Sequence, residues 1–267
     1  MAHLFIFGLG YSAGHVRFAA QARGMAVSAT GREGELAFAD APAVLERLAD
    51  ATHVLSSVPP DRATGHDPVL DAYGTALGGK WLGYLSSTGV YGDAAGAWVD
   101  ESTPVGSGRR TARAACDAGW LALGARVFRL PGIYGPGRSA FERIATGQAH
   151  RIDLPGQVFS RIHVDDIAAC VLAGFDAPPG AYNIADDLPA SSNAVIEEAC
   201  RLAGVAAPAL LSLEEAGLSE EARGFYAENR RVANGKARRV LGWRPLYPTY
   251  RDGLRALSPA VRPGSAP

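Results

Sequence analysis

The residues best placed to do chemistry stand at the start of the chain. Gly8, Gly10 and Gly14 follow an apolar run at residues 4–7 and lead into a helical pattern, reading H-L-F-I-F-G-L-G-Y-S-A-G-H over residues 3–15. A strand that passes through a glycine turn into a helix N-terminus makes an anion site. The first N–H groups of the helix have no internal partner and carry the positive end of its dipole. Glycines also let the main chain come close to a pyrophosphate. The spacing is G-x-G-x-x-x-G, whereas the dinucleotide fingerprint is G-x-G-x-x-G, and a turn of this kind also serves purely structural ends. If a dinucleotide binds, its pyrophosphate is expected over Gly10, Tyr11 and Ser12.

A second strand at 25–30 ends Ala-Thr-Gly-Arg, which puts Thr30 and Arg32 at its tip. In dinucleotide folds an acidic residue there accepts from the ribose 2′-hydroxyl and favours NAD, whereas an arginine favours a 2′-phosphate. Arg32, 24 positions after Gly8, favours NADP over NAD; its neighbour Glu33 points the other way. The strand at 53–58 stops at Pro59-Pro60, and its end, Ser57, Val58 and Pro59, is expected beside the cofactor. Arg109, Arg113, Arg138 and Arg161 form a further theme, because guanidinium groups grip phosphates and carboxylates bidentately. Arg138 is expected to be spent in a surface ion pair.

The bulk properties bound the rest. The 267 residues are 48% hydrophobic and 20% charged, with a net charge of −1. They suit one large α/β domain, or one with a small appended lobe. Near-neutral charge without a basic stripe argues against nucleic acid as a partner, and no segment reaches the roughly 20 apolar residues of a membrane helix. Only Lys80 and Lys236 are lysines, so a catalytic lysine has few candidates. Cys116, Cys170 and Cys200 are far apart and lack metal or redox spacing; they read as small buried hydrophobes, and no metal site is expected. No signal peptide is read at the N-terminus, so a cytoplasmic location is expected.

Strand and helix patterns alternate along the chain: a helix at 16–23, a short strand at 36–38, a helix at 42–49, a helix capped by Asp67, and a strand at 81–86. Beyond residue 136 come a helix at 139–147, short strands at 151–154 and 158–161, a helix at 164–175, a strand at 182–184, and helices at 193–203, 220–228, 236–241 and 250–257. The tail from residue 258, rich in Pro, Gly and Ala, is expected to fray.

Six blocks spread along the chain then carry a resemblance. They are S-S-T-G-V-Y-G-D at 86–93, D-E-S-T-P at 100–104, R-L-P-G-I-Y-G-P-G at 129–137, R-I-H-V-D-D-I-A at 161–168, Y-N-I-A-D-D at 182–187 and L-G-W-R-P at 241–245. In this order they resemble the extended short-chain dehydrogenase/reductases, the NAD-dependent epimerase/dehydratase group. The resemblance implies an α/β, Rossmann-type doubly wound parallel sheet over residues 1–135. A small C-terminal substrate lobe is implied over 136–257, with a strand near 181–184 returned to the sheet. It places Pro131 and Ile133 at the cofactor and Ser87, Thr88 and Tyr134 at the substrate. It also implies that an arginine at the R-I-H-V-D-D position, Arg161, can contact an anionic group of the substrate. A homodimer through a segment around 112–123 is a further implication.

The same resemblance exposes a gap. The family sets a tyrosine and a lysine four apart on the helix after this serine block; the cation brings a phenol near pKa 10 into working range. Residues 106–120 hold neither, and alignment puts Arg109 and Arg113 in their places, on one helix face. Arginine is a poor proton donor. Tyr91, Tyr134 and His163 are the substitutes for an acid, with Ser87 and Tyr91 the expected catalytic pair; the H-V-D-D turn at His163 also reads as structural, its aspartates capping the following helix. Two functional readings follow. The first is an NAD(P)-binding oxidoreductase or epimerase-like protein with rewired acid/base groups, acting on a small anionic or sugar-like substrate. The second is a catalytically inactive NADP-binding sensor or regulatory protein.

Overall fold

The computed structural model describes residues 2–258, apart from the side chain at position 221; the tail expected to fray lies beyond them, save Ser258. Its centre is a six-stranded sheet in which every pairing is parallel. In chain order the strands are β1 (His3–Phe7), β2 (Ala26–Ala29), β3 (His53–Ser56), β4 (Trp81–Ser87), β5 (Arg126–Leu130) and β6 (Gly180–Asn183). Across the sheet they run β2-β1-β3-β4-β5-β6. The order reverses between β1 and β3, which creates a crevice at the carboxyl ends of the strands where open α/β sheets bind ligands.

β1 and β4 are almost wholly buried, as parallel strands covered on both faces must be. On one face lie α1 (Tyr11–Ala22) and, after the sheet's fifth strand, α6 (Val164–Ala173). Val16, Ala20, Ile167 and Val171 join Leu4, Ile6 and Phe128 in that core. On the other face lie α2 (Ala41–Asp50), α3 (Pro68–Tyr73) and α4 (Thr111–Ala122), with Val44, Leu48, Val69 and Trp120 packed on Phe5, Phe7 and Tyr84. Each fully buried Val, Leu, Ile or Phe among them contributes about 1.5–3 kcal/mol. Asp67 caps α3 by accepting from the Val69 and Leu70 amides at 2.9 and 3.1 Å, and it takes the Trp120 indole N–H at 2.7 Å. All three cysteines are buried and free.

The lobe beside the crevice is built from α5 (Ala140–Ala145), α7 (Ser192–Ala203), α8 (Glu220–Tyr226) and α10 (Tyr250–Leu257). Phe141, Val195 and Leu254 form its core with Tyr134. The division at residue 136 is not clean in space. α6 and β6 return to the sheet, as do α9 (Gly235–Val240) through Ala237, and Trp243 beyond it.

Several expectations are corrected. No strand forms at 36–38; only an isolated bridge joins Leu36 to Thr30, so the second crossover is shortened. α1 begins at Tyr11 and not at residue 16, because the helix starts directly on the glycine turn. The strand expected at 158–161 starts three residues later, at Arg161–His163, paired in parallel with Gly132–Tyr134.

Candidate active site

The glycine turn is shaped by two contacts. Gly8 has φ +81°, and a methyl group there would lie 2.9 Å from Val58 Cγ2. Gly31 has φ +120°, and a methyl group there would lie 2.7 Å from the Leu9 amide nitrogen. Thr30 ties the turn to β2: its hydroxyl accepts from the Gly8 amide at 3.2 Å and its carbonyl from the Leu9 amide at 2.7 Å. The Ser57 hydroxyl donates to the Gly8 carbonyl. Gly8, Thr30 and Val58 therefore build the turn and do not line the crevice.

Gly10 and Gly14 differ from Gly8. A methyl group on either would meet nothing within 4 Å. Gly10 is the N-cap of α1 and offers no side chain to its free N–H groups. The first turn of this twelve-residue helix, Gly10 to Ala13, opens onto a cleft of about 1260 Å³. Unsatisfied donors facing open space are what a pyrophosphate needs, so the residues present fit a dinucleotide. Ser57, Pro131 and Ile133 line the same cleft, whereas Gly14, Arg32 and Pro59 stand outside its lining. Arg32 is exposed in the turn after β2, and Glu35 turns back to accept from the Ala29 amide at 3.0 Å.

Ser87 and Thr88 also line the cleft, at the carboxyl end of β4. The Ser87 hydroxyl accepts from the Gly89 amide at 3.1 Å and starts a single 3₁₀ turn, Thr88–Tyr91. That turn directs Tyr91 away from the cleft, which corrects its expected catalytic role. Its hydroxyl donates to Asn183 Oδ1 at 2.8 Å and accepts from Arg129 Nη1 at 2.9 Å. Burial raises the Tyr91 pKa further from a working acid, against the lowering effect of Arg129. Arg129 is itself held by Asp117 through Nε–Oδ2 at 3.0 Å and Nη2–Oδ1 at 2.7 Å, and Ser86 donates to Asp117 at 2.7 Å. Ser86, Asp117, Arg129, Tyr91 and Asn183 thus form one buried polar chain behind Ser87.

His163 is likewise structural. Its Nδ1 accepts from the Asp165 amide at 3.2 Å, so the histidine caps α6, where the aspartates were expected to. Burial lowers its pKa to about 4. Asp165 pairs with His15 at 2.7 Å, and buried Asp166 accepts from the Leu246 and Tyr247 amides. Tyr134 borders the cleft, but burial raises its pKa and its hydroxyl has no partner among the described residues.

The arginines sort into two kinds. Arg161 borders the cleft, but its guanidinium donates to the carbonyls of Phe159, Ala190 and Ser191 at 2.8, 2.8 and 3.3 Å. Burial lowers its pKa to about 10. It holds the lobe's backbone, which corrects its expected place on the substrate. Arg109 and Arg113 both line the cleft, yet not as one helix face: α4 starts at Thr111, so Arg109 lies before it. Arg109 approaches Glu228, two residues beyond the end of α8, at 3.5 Å, and Arg113 donates to the Tyr84 hydroxyl at 2.8 Å. Arg138, expected in a surface ion pair, has no carboxylate partner among the described side chains; it lies 5.6 Å over the Tyr11 ring at the cleft mouth. Tyr11 reaches across to donate to the Pro136 carbonyl at 3.0 Å.

Arg110, Arg143 and Arg230 complete the set, and sequence reasoning missed all three. The paired arginines of R-R-T-A-R were the available signal for Arg110. Glu228 was missed too, although it anchors this end of the cleft. Burial raises its pKa, but Arg230 at 2.9 Å and the Arg109 amide outweigh that and keep it ionised. No described cluster of His, Cys, Asp or Glu could hold a metal ion. No described helix is long and apolar enough to cross a membrane.

Known proteins share this arrangement of elements. No family model matches the sequence. A solved structure described as a functionally unknown conserved protein from Silicibacter pomeroyi is 40% identical, covering 97% of this chain and 98% of that one with a TM-score of 0.84. The human epimerase family protein SDR39U1, solved with NADPH, is 15% identical over 96% of this chain and 99% of that one, TM-score 0.73. The Thermus thermophilus UDP-glucose 4-epimerase in complex with NAD is 19% identical over 95% and 96%, TM-score 0.70. These last two show likeness of fold. A curated relative, the 3-diazoavenalumate denitrifying reductase of a Streptomyces species, is 32% identical over 144 residues, 49% of this chain. The match spans 46% of that relative's length.

Proposed function

The chain belongs to one family with the conserved Silicibacter protein and has the fold of the NAD-dependent epimerases and dehydratases, and on that premise we propose that it is an NADP-dependent oxidoreductase for a small anionic substrate. One observation carries this reading. The uncapped first turn of α1, the Ser87–Thr88 pair and the arginines 109, 110 and 113 face a single cleft at the sheet's switch point. A dinucleotide site and an anion-binding arm in one space are what a bound hydride donor and a charged acceptor require.

The nicotinamide cofactor would supply or accept a hydride; the α1 N–H groups, Ser57, Pro131 and Ile133 would hold it. Arg32 would grip the 2′-phosphate, helped by the turning-in of Glu35 toward the Ala29 amide. Ser87 would donate to an oxygen of the substrate. The arginine arm would hold its anionic group and stabilise negative charge that builds up as a hydride arrives. No tyrosine–lysine pair stands by Ser87, so the proton that completes a reduction would come from water in the cleft. Such a division suits substrates whose electrophilic carbon accepts hydride without prior protonation. The reductase name of the Streptomyces relative supports a reduction.

The test measures NADPH and NADH binding by quenching of nicotinamide fluorescence, then absorbance at the nicotinamide band with a panel of carbonyl, conjugated and nucleotide-sugar substrates. NADPH is expected to bind more tightly, and Arg32→Ala to weaken it about 10–100-fold with little effect on NADH. Binding without any turnover across the panel would favour the inactive sensor, and equal loss of both cofactors would remove the NADP assignment.

A further inference from the structure

The inner arm of the cleft has more specific chemistry than a general affinity for anions. Arg110 lies against the serine block itself. A methyl group placed on Gly89 would run into Arg110 Cδ, and would stand 3.0 Å from Arg110 Nε and 3.3 Å from Ser87 Oγ. The guanidinium nitrogen and the serine oxygen thus both lie within 3.3 Å of one point. The Arg110 guanidinium carbon sits 5.6 Å from the centroid of the Phe225 ring, which α8 brings across the cleft. No described carboxylate pairs with Arg110, and Arg109 and Arg113 stand nearby. Burial, and after it the charges of Arg113, Arg109 and Arg230, push its pKa down; Glu228, already paired with Arg109 and Arg230, opposes them without reversing the shift. Phe225 remains 51% exposed, an aromatic face not used by the protein's own core.

We propose that the Arg110–Phe225 arm receives a small planar conjugated carboxylate whose anionic group lies close to the reacting carbon. The assignment rests on the proposed oxidoreductase reading, since it takes Ser87 as the marker of the reacting centre. A planar carboxylate matches the fork of Arg110, and a flat conjugated body can lie against the Phe225 ring. The short reach from Arg110 to Ser87 sets the substrate's size. In a nucleotide sugar reacting at the carbon opposite its phosphate, a whole hexose separates the pyrophosphate from the reacting oxygen. An anion held by Arg110 leaves no room for that ring before Ser87. Hydride added to the reacting carbon of a conjugated carboxylate would push the displaced electron pair onto the carboxylate, where Arg110 would hold the extra charge until water delivers a proton to the adjacent carbon, in keeping with the missing tyrosine and lysine.

The experiment titrates trans-cinnamate, cyclohexanecarboxylate and UDP-glucose into the full chain by calorimetry, with and without NADPH. Cinnamate is expected to bind at least 5-fold more tightly than cyclohexanecarboxylate, and UDP-glucose more weakly than either. Phe225→Ala should erase the preference for cinnamate. Arg110→Ala should weaken both carboxylates about 10–100-fold and Arg110→Lys by an intermediate factor. NADPH affinity, unchanged in all three variants, reports that they are folded. Tighter binding of UDP-glucose, or carboxylate binding indifferent to Arg110, would overturn the proposal. Failure of NADPH to bind the wild type would instead remove the oxidoreductase reading, and the titrations without cofactor would still decide the carboxylate site.

Discussion

Arg129 and Arg110 are both drawn out of bulk water, one behind the serine block and one in front of it. Arg129 is 3% exposed and meets Asp117 bidentately, with the Tyr91 hydroxyl on its remaining edge. Asp117 and Tyr91 together hold its pKa above the usual arginine value despite burial. Arg110 forms no ion pair with a described carboxylate, since nearby Glu228 is taken by Arg109 and Arg230, and its pKa moves the opposite way, chiefly through burial. A fully buried charge such as Arg129 must be paired or it costs several kcal/mol, whereas Arg110 is only half-buried and keeps access to the cleft. The pair behind Ser87 is thus part of the fold, and the unpaired charge in front of it is left for a ligand. Residue type alone does not separate these roles; the partner does.

The comparison breaks most easily at Asp117. Asp117→Ala would leave Arg129 buried and uncompensated and is expected to cost about 3–5 kcal/mol in urea unfolding. A loss below about 1 kcal/mol would mean the pair is not what holds β4 and β5 to α4. Asp186 gives an intermediate test. It is buried beside Arg161, whose guanidinium is spent on backbone carbonyls, and Asp186 Oδ2 has no partner among the described residues. Burial raises its pKa to about 7, against the Leu188 amide and Arg161. The folded carboxyl therefore keeps its proton up to about pH 7, while the unfolded one releases it near 3.8. The folded state binds more protons in that window, so stability from this site declines as pH rises through it. Asp186→Asn is expected to stabilise by about 4 kcal/mol at pH 8 and by almost nothing at pH 4. An equal gain at both values would disprove the buried charge. The smallest effect belongs to Arg110. Arg110→Ala should change the unfolding free energy by less than about 0.5 kcal/mol, or raise it as repulsion from Arg109 and Arg113 is relieved. A loss comparable to that of Asp117→Ala would make Arg110 a structural residue.

Much of the frame follows from local pattern. The apolar run and glycine turn at the N-terminus, the Asp67 cap, the buried cysteines and the strand leading to Ser87 depend on neighbours a few residues apart, and they stand where that pattern puts them, although the first helix starts five residues earlier than its periodicity indicates. The absence of a tyrosine and lysine from residues 106–120 is also plain from the chain alone. Tertiary structure decided the side chains of the site. Tyr91 looked catalytic because it stands four residues from Ser87, but Asn183 and Arg129, 92 and 38 positions away, claim its hydroxyl. Arg161 looked like a substrate ligand until Ala190 and Ser191 brought their carbonyls to it. Arg110 gained its role from Gly89 beneath it and Phe225 across from it, on a helix more than a hundred residues later. Hydrophobic periodicity and turn chemistry act over one or two turns of chain and can be read there. The partner of a charge is set by which distant backbone the fold brings within hydrogen-bond reach, and that alone decides whether the charge serves the fold or awaits a ligand.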